Sequence, residues 1–133
     1  VARCRFVQPE LVRIDLSDGD WIEVKRELNA GESRRVAARL VKTMHFNERA
    51  EVDAEQVGFS KVVEYLIDWS LVDIGGRHVP VSEASIRNLE SATYTEIEQA
   101  IERHEAAVEA AREARKNGTG GERKSDPISS SAA

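Results

Sequence analysis

Three histidines, one cysteine and a row of late glutamates are the residues whose chemistry could reach a metal or a substrate. Their spacing argues against most of it. His45, His78 and His104 stand more than twenty residues apart, each without the neighbours that metal binding uses. No His-Glu-x-x-His, Cys-x-x-Cys or carboxylate-x-x-His pattern occurs, and Glu102-Arg103-His104 has the wrong spacing. Ser60 follows Gly58-Phe59, but Val62 occupies the position where a nucleophile elbow needs glycine. Gly75-Gly76 and the glycines from Gly118 to Gly121 lack the Lys-Ser/Thr of a phosphate loop, and read as a turn and a flexible tail. Cys4 lies between Arg3 and Arg5, a setting that could favour a reactive thiol, yet with no base placed beside it an incidental thiol is the better reading. No catalytic, cofactor or metal site is expected, and the protein is expected not to be an enzyme.

Recognition chemistry is more legible. Tyr94, Ile97, Ile101, His104, Val108 and Ala111 recur alternately three and four residues apart, a short heptad seam. Glu98, Glu102, Glu105 and Glu109 flank it where partner-selecting charges belong. A stripe this narrow suits a helical partner or a second copy of the chain, and His104 fits an interface better than a ligand set. The expected partner-binding residues are therefore Ile97, Ile101, His104 and Val108 with Glu98, Glu102 and Glu105, beside the plainer reading of Ile101 as ordinary core. A second face, Arg34, Arg35, Arg39 and Lys42, could touch nucleic acid, but it lacks interleaved aromatics.

These residues need elements to hold them. Leu11–Leu16 and Trp21–Leu28 alternate with period two, and Ser17-Asp18-Gly19-Asp20 between them suits a tight hairpin turn. Val12, Ile14 and Leu16 are expected to face the core with Ile22 and Val24. Asn29 and Glu32 form a capping box for a helix whose apolar stripe is Val36, Ala37, Leu40, Val41 and Met44, ending at His45-Phe46-Asn47-Glu48. Residues 47–53 read as a polar connector, with Asp53 and Gln56 as a further cap. Phe59 to Val72 is apolar around most of a helical circumference and is expected to be a central buried helix, stopped by Gly75-Gly76. Ser82 caps a short helix carrying Ile86 and Leu89, and Thr93-Tyr94-Thr95-Glu96 opens the last one. The expected fold is mainly α (α+β): an N-terminal β-hairpin packed on a small helical bundle, with a long C-terminal helix. Residues 1–10 are expected to be an extended arm, 11–116 a single domain, and 117–133 a disordered tail with little to bury.

Composition agrees. Of 133 residues 32% are charged and only 5% aromatic, which suits a well-solvated helical protein. A net charge of −5 argues against nucleic acid or a membrane surface as a partner. One cysteine excludes an internal disulfide framework and fits a reducing cytoplasm. The chain opens on Val1, as a fragment or a gene read from a non-standard start codon would.

The run Asp18 to Arg35 resembles small proteins of tailed bacteriophages, the siphophage tail assembly chaperones. Trp21, Ile22, Val24, Lys25, Leu28, Gly31 and Glu32 match their phrase W-[IV]-x-[IV]-K-x-x-L-x-x-G-E, in which a hairpin leads into the first helix. A tryptophan-bearing helix and a charged C-terminal helix with a polar tail complete the likeness over residues 11–116. The resemblance implies a non-enzymatic role in the host cell cytoplasm: binding the tape measure protein, keeping it soluble, and helping recruit tail tube subunits. It also implies a paired longer form made by ribosomal frameshifting. The alternatives are a minor virion or head–tail completion protein and a small nucleic-acid-binding regulator.

Overall fold

Alternation with period two builds the sheet, and an Asp-Gly step turns it. The computed structural model describes residues 3–46 and 54–132, with side chains described over 3–40 and 56–117. Strand β1 (Leu11–Asp15) pairs antiparallel with β2 (Trp21–Lys25), Val12 opposite Val24 and Ile14 opposite Ile22. Both Asp18 (φ 58°) and Gly19 (φ 78°) take positive φ, the conformation that this dipeptide tolerates best. Ile22 and Val24 are fully buried, and Val12, Ile14 and Leu16 pack against them, as the alternation requires. Residues 3–10 hold neither helix nor strand.

Helix α1 (Ala30–Phe46) starts at the expected capping box: Glu32 N–H donates to Asn29 Oδ1 and Asn29 N–H to Glu32 Oε1, both at 2.9 Å. The connector over residues 47–53 lies outside the described residues. Helix α2 (Ala54–Tyr65) then ends earlier than its apolar run suggests. Leu66–Trp69 is not a continuation of that helix but a third strand, β3, giving the sheet order β1-β2-β3. The correction has a physical cause. A two-stranded hairpin leaves one edge of β2 unpaired beside buried Ile22 and Val24, and pairing that edge outweighs local helix preference. Ser70 closes the pairing: its N–H donates to Trp21 O (3.0 Å), while its hydroxyl accepts from Trp21 N–H and donates to Asp20 Oδ1, each at 2.9 Å. The register slips between Glu23 and Val24, leaving Ile67 in a bulge.

After β3 the chain forms a tight loop with an isolated bridge between Val72 and His78. Gly75-Gly76 sit in that loop and end no helix. Helix α3 (Glu83–Arg87) is capped by Ser82 as expected and buries Ile86. Helix α4 (Ser91–Ala132) begins before the expected Thr93–Glu96 box, with Tyr94 N–H already donating to Glu90 O. Glu96 caps nothing in its own helix; it accepts from Ser17 N–H (2.8 Å) and hydroxyl (3.0 Å), pinning the hairpin turn to α4. The tail expected over 117–133 lies, but for Asn117, outside the residues whose side chains are described. Among the described residues, no helix is long and apolar enough to cross a membrane.

The core is the inner face of the sheet, α2, α3 and the first turns of α4. Trp69, 1% exposed, is its largest fully buried side chain, and its indole N–H donates to Val79 O at 2.6 Å. Trp69→Ala is expected to cost about 3–5 kcal/mol in urea denaturation, the range for a large buried aromatic. A melt superimposable on that of the unmodified protein would contradict this placement.

Candidate partner-binding cleft

Position along α4 decides what the heptad seam does. Its first half faces the sheet and α2: Ile97 is 0% and Ile101 1% exposed, both in the hydrophobic core. The expectation that they meet a partner is corrected; a partner cannot reach them without unfolding the domain. Glu98 also turns away, accepting from Tyr94 hydroxyl (2.9 Å) and lying against Gly58 of α2 so closely that a β-carbon there would overlap its carboxylate. His104 is half-buried; its Nε2 donates to Arg26 O (2.8 Å), and its ring stands edge-on to Tyr65. That bond ties α4 to the end of β2.

Beyond His104 the seam opens. Val108 and Glu102, with Glu105, line a cleft of about 460 Å³ between α4 and the turn that joins β2 to α1. Leu28 and Ala106 extend its apolar floor, Tyr65 closes one end, and Glu27 and Glu109 complete a rim of four glutamates against one arginine, Arg112. Glu105 accepts from Lys61 ammonium (2.6 Å) and Tyr65 hydroxyl (3.2 Å). Burial, and then the Glu105 carboxylate, push the Tyr65 phenol far above its usual pKa, so it remains a protonated donor. Arg112 bridges Glu27 and Glu109 across the cleft mouth. Leu28, Glu27 and Tyr65 were not foreseen as lining this surface. Glu27 and Arg112 meet across 85 residues of chain, a pairing that helical spacing cannot reveal. The glutamates' own periodicity was the only available signal.

A second polar centre holds the scaffold. Glu64, 6% exposed at the end of α2, accepts from Arg35 (Nε 2.8 Å, Nη2 2.7 Å) and Arg39 (Nη1 3.0 Å) of α1. Lys25 of β2 approaches the same carboxylate to 4.0 Å and bonds Glu32. Two of the four cations proposed for nucleic acid are thus turned onto Glu64; Arg34 is exposed, and the Lys42 side chain lies outside the described residues. Burial pulls the Glu64 pKa upward, but the hydrogen bonds from Arg35 and Arg39, with the charges of Arg35 and Lys25, outweigh it and hold it below the usual carboxylate value. Among the described residues, no three His, Cys, Asp or Glu side chains are placed to hold a metal.

The sign of the pH dependence follows. With its folded pKa depressed, Glu64 contributes its stability in full above the unfolded value of about 4.3, and that contribution disappears as pH falls through the folded pKa. Glu64→Gln is expected to lose about 1.5–3 kcal/mol at pH 7, the worth of charged hydrogen bonds. In urea melts the gap between variant and unmodified protein should narrow at pH 3. An equal gap at both pH values would argue against an ionised Glu64.

Compared with known proteins, the chain matches no family model, no curated protein and no solved structure.

Proposed function

We propose that this protein is a non-enzymatic assembly chaperone of siphophage tails. It holds a helical stretch of the tape measure protein in the α4 cleft, keeping that chain soluble in the host cytoplasm while tail tube subunits are recruited. The observation that carries the reading is the cleft itself: an apolar floor with Leu28 and Val108 under a rim of glutamates. An amphipathic helix laid in a groove uses apolar anchors for affinity, and charges around it for register and exclusion of wrong partners. Here Glu102, without an ion pair among the described residues, favours a helix bearing a lysine or arginine. Glu102 and Glu109 lie seven residues apart, about 10 Å along α4, long enough to engage two turns of a partner. The hairpin phrase from Trp21 to Glu32, on which the resemblance to tail assembly chaperones rests, ends beside this cleft, with Leu28 in its floor and Glu27 on its rim.

Co-expression with the tape measure protein of the same phage tests the reading. The unmodified chain should co-purify with it and keep it soluble. Val108→Lys, which places a cation on the cleft floor, should lose at least tenfold in recovered partner while circular dichroism is unchanged. Ile101→Asp should instead lose helical structure altogether, because its site is core. Undiminished co-purification by Val108→Lys would reject the cleft as the binding surface.

A further inference from the structure

The most exposed apolar residue among those described stands at the end of the sheet opposite the cleft. Ile74 is 109% exposed at the tip of the loop after β3, and neighbouring Val72 is 57% exposed. Isolated surface aliphatics are common, but this one is held out by a rigid support. Asp73 Oδ1 accepts from Gly75 N–H (2.8 Å) and Arg77 N–H (3.0 Å), while Asp73 N–H donates to Arg77 O (2.8 Å) and Gly76 N–H to Asp73 O (2.9 Å). Gly76 takes φ +78°, which lets the loop close. At the base, His78 Nε2 lies 3.0 Å from Asp68 Oδ1 and 3.1 Å from Trp69 O, and Val79 O receives the Trp69 indole N–H. A tip fixed in advance loses little conformational freedom on docking. Arg77 beside it has no ion pair with a carboxylate among the described residues.

We infer that this tip docks into the α4 cleft of a second copy of the chain, Ile74 on the apolar floor and Arg77 against Glu102. Charge complementarity selects the occupant: an apolar knob flanked by Arg77 meets an apolar floor beside Glu102, the rim carboxylate that has no ion pair among the described residues, Glu27 and Glu109 being held by Arg112. The two halves of the contact sit at opposite ends of β2. Ser70, just before the loop, pairs with Trp21, whereas Glu27 and Leu28 follow Lys25. Five strand residues, roughly 17 Å, separate them. A molecule therefore cannot satisfy its own cleft. The contact is head-to-tail, and it continues from copy to copy until a ring closes or the chain of subunits ends. With one loop as the knob the interface is small, so association is weak and concentration-dependent. A bound copy and a foreign helix would exclude each other, yet self-association stands whether or not the cleft also takes such a helix.

Sedimentation velocity on the full chain over a concentration series reads this directly, with no second protein present. The average mass of the unmodified protein should rise with concentration and fall back in about 1 M salt, where the screening length shrinks to about 3 Å. Ile74→Asp removes the knob and Val108→Lys the cleft, and each should remain monomeric with unchanged circular dichroism. Their equal mixture should form a dimer and nothing larger, since only one intact knob and one intact cleft remain per pair. A monomeric unmodified chain at millimolar concentration overturns the inference. So does association that persists in Ile74→Asp, and so does a mixture that stays monomeric or grows past the dimer.

Discussion

Strand β3 continues directly from α2, so the sheet cannot be completed without drawing that helix onto it. Glu64, Tyr65, Leu66 and Trp69 fall within six consecutive positions of this junction, and each fastens a different part of the molecule. Glu64 takes the two arginines of α1, and Tyr65 reaches Glu105 of α4. Leu66 and Trp69 sit opposite Val24 and Ile22 of the central strand. A buried carboxylate is costly unless its charge is met, and here three cations from two elements surround it. The arrangement gives α1 one orientation against α2.

Local signals were legible in the sequence, and long-range ones were not. The Asp18-Gly19 turn, the Asn29–Glu32 box and the Ser82 cap each involve groups within a few residues, and the structure contains all three. Phe59 to Val72 misled because an apolar run shows neither period clearly. Its second part became a strand through an unpaired edge of β2, more than forty residues earlier in the chain. Thr93–Glu96 has the letters of a capping box, but Glu96 finds Ser17 instead. For the candidate surface, periodicity identified the right helix and the right glutamates. It could not tell that Ile97 and Ile101 are sealed by the core while Val108, on the same stripe, is half open.

The charge distribution reads differently once folded. Arg35 and Arg39, which look like a basic face in the sequence, neutralise a buried group inside the domain. Glu105 is likewise met by Lys61, whereas Glu102 projects from α4 with no ion pair to a cation among the described residues. Of the cleft's glutamates, Glu102 is thus the one whose charge is not met by a cation among the described residues.

The bulge at Ile67 has a bearing on how the sheet meets its surroundings. Open strand edges recruit further strands, and a three-stranded sheet has two of them. On β3 the extra residue interrupts the ladder, so an incoming strand finds no continuous row of partners. On β1 the hydrogen bonds at Glu10 and Leu16 set the alternation, which leaves Leu11, Arg13 and Asp15 with outward-facing backbone groups. Antiparallel addition of a second β1 in the register centred on Arg13 would set that residue against its own copy, a like-charge pair. Both margins thus carry a feature that disfavours strand addition.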